Sequence, residues 1–108
     1  MAKFWYASAL KDAILNARVL AGAAFLDRVK GKKSWRRQVK LQKLALESGT
    51  ACILGQVDGD FSEAEEKYGL TIEEEKQLGF MAPDGVGWDT LTRAWKNFLR
   101  AERRAGRR

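Results

Sequence analysis

The sequence contains no histidine, one cysteine and one proline among its 108 residues. Without histidine the chain has no Ser-His-Asp triad and no Cys-His pair, and it lacks the most common zinc ligand. One cysteine forms neither a disulfide framework nor a thiolate cage for a metal. We therefore predict a protein that is not an enzyme and that uses no cofactor and no metal.

Long hydrophobic runs are also absent. No stretch approaches the roughly 18 consecutive apolar residues of a membrane span. Lys11 and Asp12 interrupt the apolar N-terminal region before it reaches the length of a signal-peptide core. We predict a cytoplasmic protein without a membrane partner, in which Cys52 remains a free thiol.

The charged residues are unevenly distributed along the chain. There are 20 Lys and Arg residues against 14 Asp and Glu residues, which gives a net charge of +6. Residues 1–46 carry a net charge of +9, residues 47–92 carry −9 and residues 93–108 carry +6. Two interpretations stay open. The basic ends neutralise the acidic middle within one fold, or they leave a basic face free for an anionic partner.

Apolar residues recur with helical spacing at both ends of the chain. The segment from Trp5 to Val29 has no proline and one glycine, which predicts a long first helix. The spacing predicts a buried stripe of Leu10, Ala13, Ile14, Ala17, Leu20, Ala21, Ala24 and Phe25, which Val19, Leu26 and Val29 widen toward the end of the helix. A long last helix is predicted with the core positions Trp88, Leu91, Trp95, Phe98 and Leu99.

These patterns predict a mostly α fold. We expect a compact bundle of four to six helices, with long first and last helices that pack on each other. Residues 1–99 form the predicted single helical domain, and residues 100–108 form a predicted basic C-terminal tail. Gly22 is expected to let another element approach the first helix closely.

Shorter helices are predicted between the two long ones. One is expected from Trp35 to about Glu47, although the mixed spacing of its apolar residues leaves an extended turn open as well. Thr71 and Glu74 have the spacing of a capping box, which predicts a helix start there. Cys52 lies between two apolar residues and is predicted to be a small buried side chain.

Two basic segments that also contain aromatic residues give the clearest functional signal. Residues 28–43 contain eight basic residues and no acidic residue. Clustered positive charge binds phosphates and gains free energy from counterion release. The candidate nucleic-acid-binding residues are Arg36, Arg37, Lys40, Lys43, Arg93, Lys96, Arg100, Arg103 and Arg104. Trp35 and Trp95 are predicted to be core residues rather than stacking platforms for bases, so we expect low sequence specificity.

Four short patterns occur in a fixed order along the chain. They are Asn16-Ala17-x-x-Leu20-x-Gly22-Ala23-x-x-Leu26-Asp27, Cys52-x-Leu54-Gly55-Gln56-x-x-Gly59-x-Phe61, Leu78-Gly79-Phe80 and Leu91-Thr92-x-Ala94-Trp95. This order resembles a family of small uncharacterised proteins of actinobacterial phages and their hosts. The resemblance spans most of residues 16–99, and its most specific part is the segment from Cys52 to Phe61. It implies an accessory protein that acts in the host cytoplasm, and it transfers no site residue.

The chain departs from the family pattern between Trp35 and Leu46. The family has Asp-rich segments around the leucines there, whereas this chain has Lys and Arg. A partner shared with the family is therefore not implied. Leu54, Gly55 and Gln56 are interpreted first as packing residues, with the Gln56 amide satisfying buried backbone groups.

We accordingly expect a non-catalytic, phage-type accessory protein that binds a host macromolecule. The first hypothesis is a host protein, bound through the acidic residues of 58–75 or through exposed aromatic side chains. The alternative hypothesis is a nucleic acid, bound with little sequence specificity by the basic N-terminal half and the C-terminal tail. The oligomeric state is left open.

Overall fold

Helices make up the regular secondary structure of the residues that the structure describes. A computed structural model describes residues 2–106, with side chains from Leu10 onward except that of Lys33. Within these residues it contains six α-helices, one short 3-10 turn and no strand. The elements are α1 (Ala2–Lys30), α2 (Lys32–Gln38), the 3-10 turn (Leu41–Lys43), α3 (Ile53–Asp58), α4 (Phe61–Tyr68), α5 (Ile72–Gln77) and α6 (Trp88–Ala105).

The predicted mostly α fold is confirmed, with long first and last helices that contact each other. In the described part of the chain, no helix is both long enough and apolar enough to cross a membrane. The helix α6 continues to Ala105, which is beyond the predicted domain boundary at residue 99. Arg107 and Arg108 of the predicted tail lie outside the described residues.

Aromatic side chains form the centre of the core. The Trp95 ring stacks on Phe80 with a centroid distance of 5.9 Å and meets Trp35 edge-on at 6.3 Å. The Trp95 indole N–H donates a hydrogen bond of 2.6 Å to the Gly79 carbonyl, which satisfies its one polar atom. Trp35 and Trp95 are fully buried, so the prediction that both are core residues is confirmed. The prediction for Trp88 is wrong, because this residue begins α6 at the edge of the fold and is 36% exposed.

The helix α1 buries a different side from the one that the sequence predicts. The residues that face the core are Leu15, Val19, Gly22, Ala23 and Leu26. Of the predicted stripe, Val19 and Leu26 are buried and Phe25 is half-buried, but the prediction is wrong for the other members, which are exposed. Apart from Val29, these exposed members define the outer face of α1, which consists of Leu10, Ala13, Ile14, Ala17, Leu20, Ala21 and Ala24. Apolar residues surround most of the helix, so a spacing of three and four fits either side.

Gly22 explains why the other side of α1 is buried. A Cβ atom at this position would lie 2.0 Å from the Leu78 carbonyl oxygen and 3.0 Å from the Trp95 ring. The absence of a side chain therefore lets α1 contact both the end of α5 and the middle of α6. The predicted close approach at Gly22 is confirmed.

The helix predicted from Trp35 to Glu47 is wrong in its length. The helix α2 ends at Gln38, and Val39 and Lys40 are extended. The Gln56 side chain holds this extended backbone, because it accepts a hydrogen bond of 2.7 Å from the Lys40 N–H and donates one of 3.3 Å to the Lys40 carbonyl. Val39 thereby enters the core, with Leu44 and Leu46 further along the segment.

Side-chain caps begin three of the four short helices, α3, α4 and α5. The Cys52 sulfur accepts from the Gly55 N–H at α3, and an Asp60 oxygen accepts from the Ser62 N–H at α4. The predicted capping box of α5 is confirmed, since Thr71 and Glu74 each accept a hydrogen bond from the other's backbone N–H. Capping of this kind is worth about 1 kcal/mol per helix and fixes where these short elements start.

Candidate nucleic-acid interface

The nine candidate basic residues divide into two groups. Arg36 and Arg103 have guanidinium groups that are engaged inside the fold. The other seven have no ion pair with any side chain in the part of the chain that the structure describes. They are Arg37, Lys40, Lys43, Arg93, Lys96, Arg100 and Arg104.

Arg36 joins three helices. One of its guanidinium nitrogens lies 3.1 Å from an Asp27 carboxylate oxygen on α1, and another lies 2.9 Å from a Glu102 oxygen on α6. The same guanidinium lies over the rings of Trp35 and Phe98, at 5.3 and 5.4 Å from their centroids. Its charge is thus compensated within the protein, and the residue contributes little free positive charge to the surface.

Arg103 fastens the last turns of α6 to the chain after α2. Its guanidinium donates hydrogen bonds to the backbone carbonyls of Arg36, at 3.0 Å, and of Val39. These carbonyls lie at the end of α2 and just beyond it, where no helical N–H is available to them. Arg103 therefore acts as a cap for α2 and retains its positive charge, because neither acceptor is ionised.

The outer basic stripe of α6 consists of Arg93, Lys96, Arg100 and Arg104. Successive members are three, four and four residues apart, so they lie on one side of the helix. Arg93, Arg100 and Arg104 are exposed and Lys96 is half-buried. Glu102, an acidic residue on the same helix, points instead toward Arg36. The stripe is therefore a surface of uncompensated positive charge.

A hollow beside the end of α6 is lined by further cations. It has a volume of about 500 Å³ and is lined by Arg37, Val39, Lys40, Gln42, Arg103 and Gly106. A neighbouring hollow of about 410 Å³ shares Arg37 and Arg103, and also includes Lys32. Lys32 is missing from the predicted set, although it belongs to the acid-free run of residues 28–43.

Arg93 lies apart from this cluster. It lines a hollow of about 270 Å³ between α1 and the first half of α6, together with Asp12, Asn16, Thr90 and Asn97. The carboxylate of Asp12 lowers the local positive potential. The structure therefore does not gather all nine candidates at one place, and the hollow lined by Arg37, Lys40 and Arg103 brings three of them together.

Comparison with known proteins gives no relative for this geometry. No protein-family model matches the chain, and no curated protein or solved structure matches it. The function is accordingly inferred from shape, burial and charge.

The segment from Cys52 to Phe61 has a structural role throughout. Burial raises the pKa of the Cys52 thiol, whose sulfur already accepts the Gly55 N–H. A Cβ on Gly55 would lie 2.5 Å from the Gly49 carbonyl oxygen, so α3 packs directly on the loop that precedes it. Gln56 holds the backbone of Lys40 and Ala51, as its interpretation from sequence predicts.

Asp58 is the centre of a second charged cluster, away from the outer stripe. It lies 2.6 Å from the Lys30 ammonium group and 3.3 Å from that of Lys67, and it accepts a hydrogen bond of 2.9 Å from the Tyr68 hydroxyl. Burial opposes ionisation of Asp58, but the hydrogen bonds from Lys30 and Tyr68 outweigh it and lower the pKa of this carboxyl. The cluster ties the end of α1 to α3 and α4.

Glu75 is the one acidic side chain that is fully buried among the described residues, with 0% exposure. Neither carboxylate oxygen has a hydrogen-bond partner within residues 2–106. Burial, together with the nearby Glu65 carboxyl, raises the pKa of Glu75 to about 8. Such a pKa suits a general acid, but none of the three hollows described above is lined by Glu75. Its effect falls on stability instead.

Proposed function

We propose that the protein is a non-catalytic nucleic-acid-binding protein of low sequence specificity. The observation that carries the proposal is the outer basic stripe of α6. Within the described residues its cations form no ion pair, whereas Arg36 on the adjoining helix pairs with two carboxylates. A charge left free on a rigid helix is available to an anionic ligand without breaking any contact of the fold.

The dimensions of the stripe fit a phosphate backbone. From Arg93 to Arg104 the helix rises by about 16 Å, and duplex DNA carries one phosphate charge for about every 1.7 Å of its axis. Lys40 and Arg37 extend the basic surface across the adjacent hollow. We expect several phosphates to be contacted at once, with Arg93 contributing least because Asp12 lines the same hollow.

Low specificity follows from the same geometry. Phosphate contacts position a nucleic acid but carry no sequence information. The aromatic rings of Trp35 and Trp95 are buried in the core and are not available for base stacking. The basic side chains therefore read charge and spacing rather than base edges.

The test is a fluorescence anisotropy titration with labelled duplex DNA, single-stranded DNA and RNA at about 50 and 200 mM salt. The double variant Arg100→Gln with Arg104→Gln is compared with Lys11→Gln with Lys67→Gln, which removes the same charge from exposed positions on α1 and α4. We expect the first variant to reduce the slope of log affinity against log salt by about 2, and the control to leave it unchanged.

Two results would overturn the proposal. One is the absence of binding to all three nucleic acids at the lower salt concentration. The other is an equal salt slope for the wild type and the Arg100 and Arg104 double variant. The first result would favour a host protein as the partner, with the acidic residues of 58–75 or exposed aromatic side chains as its contact surface; that hypothesis stays a prediction. The second result would remove the outer basic stripe, which is the observation that carries the proposal.

A further inference from the structure

The outer face of α1 is an apolar surface that the fold leaves uncovered. Its three large side chains, Leu10, Ile14 and Leu20, are 50%, 51% and 57% exposed. Its other four members are alanines, so the face contains no charged or polar side chain. A helix that is apolar on both sides is normally buried on both sides, and continuous apolar surface of this kind marks an interaction site.

We propose that this face binds the same face of a second copy of the chain, with the two α1 helices antiparallel and crossing at Ala17. The positions of the face are symmetrical about this residue, at three, four and seven residues on either side. A twofold axis through Ala17 places Leu10 of one copy opposite Ala24 of the other, and Ile14 opposite Leu20. A surface that fits its own rotated copy is what an isologous dimer requires.

The charge distribution allows a second copy to occupy the face. Two chains that each carry +6 repel one another, but salt screens this repulsion beyond about 8 to 10 Å. The seven residues of the outer face bring no charge to the contact, and the first cation on this side of α1 is Arg28, one turn beyond Ala24. The helix α6 with its basic stripe packs on the opposite side of α1. In the antiparallel arrangement the two helix dipoles also point in opposite directions, which is favourable.

The length of α1 sets the strength of the contact. The outer face spans about 21 Å, and α1 continues as a helix to Ala2, so in the same register residues 4–9 run alongside residues 25–30 of the other copy. One helix paired with one helix buries less than about 1,200 Å², which is typical of weak or transient complexes. We therefore expect a dimer with a micromolar Kd, independent of nucleic acid.

Sedimentation-velocity measurements on the full chain from about 2 to 200 µM test the dimer, because this range covers a micromolar Kd. Ala17→Glu places two like charges at the crossing point and keeps a good helix former at an exposed position. We expect this variant to raise the Kd of the dimer about a hundredfold or more and to leave the helical circular-dichroism spectrum unchanged. The matched control is Ile72→Glu, which removes an equally exposed apolar residue from α5 and should dimerise like the wild type.

Cysteine cross-linking tests the orientation. A mixture of the Leu10→Cys and Ala24→Cys variants should give a disulfide-linked heterodimer under mild oxidation, and each variant alone should cross-link several-fold less. The buried Cys52 serves as the unreactive background in all samples. A wild type that is monomeric at 200 µM, or an Ala17→Glu variant that dimerises normally, would overturn the proposal and leave the face to a different protein. Preferential linkage between two chains of the Leu10→Cys variant would overturn the antiparallel arrangement.

Discussion

Arg36 and Arg100 are the same kind of side chain on neighbouring helices, yet the fold uses them in opposite ways. Arg36 lies between two carboxylates and two aromatic rings, where its charge stabilises the junction of α1, α2 and α6. Arg100 is exposed on the outer stripe. The comparison teaches that a count of basic residues overstates the binding surface, because a cation paired with carboxylates, as Arg36 is, is already neutralised.

The sharpest way to break this comparison is to remove each charge in turn. Arg36→Met keeps the aliphatic stem but leaves Asp27 and Glu102 without their cation, so we expect the free energy of unfolding to fall by about 3 kcal/mol. Arg100→Met should change it by less than about 0.5 kcal/mol. Urea unfolding at pH 7 measures both. Equal losses for the two variants would contradict the division into inner and outer cations.

The neighbouring acids Glu74 and Glu75 extend the comparison to carboxylates. Glu75 keeps its proton up to about pH 8 in the folded protein, whereas the unfolded chain releases it near pH 4.5. The free energy of unfolding should therefore fall as the pH rises between these values, by at most about 1.4 kcal/mol per pH unit. The chain has no histidine whose titration would obscure this slope.

Glu75→Gln should abolish this fall and make the variant about 2 kcal/mol more stable than the wild type above pH 8. Glu74→Gln is the matched control, since Glu74 is exposed and the Thr71 backbone N–H lowers its pKa. Thermal unfolding across pH 5–9 gives the readout. A wild-type stability that does not decrease over this range would show that Glu75 ionises normally in the folded state.

The smallest effect is expected at the Asp58 cluster, where the cations Lys30 and Lys67 reach the protein surface. Asp58→Asn should cost about 1 kcal/mol at pH 7, because paired groups near the surface contribute little. The pKa of Asp58 is below its ordinary 3.8, so its contribution is present above that pH and is lost as the pH falls through the lower, folded value. The urea midpoints of wild type and variant should therefore converge as the pH is lowered below 3.8, and a constant difference would argue against an ionic origin.

Much of the fold was predictable because local physics decides it. The start of α5 at Thr71 depends on residues that are neighbours in sequence. The core positions Trp95 and Leu99 follow from the helical periodicity of α6. The buried side of α1 was not predictable in this way. The choice between Val19 and Leu20 as a core residue depends on where Leu78 and Trp95 lie, and these are distant in sequence.

The candidate site divides in the same manner. The exposure of most of the basic residues in the α6 stripe can be predicted from their helical spacing and their charge. The inward engagement of Arg36 and Arg103 depends on Asp27, Glu102 and the carbonyl of Val39, whose positions only the tertiary structure establishes. Residue type alone therefore identifies the basic segments but not which of their charges remain available.

The two glycines at Gly22 and Gly55 have a consequence for descent. At each position the nearest obstacle to a side chain is backbone, 2.0 Å away at Leu78 and 2.5 Å away at Gly49, so no exchange of a neighbouring side chain compensates for a mutation. Lineages that inherit this fold should keep both glycines, whatever side chains surround them. Distant homologues would then share a glycine at each of these two positions.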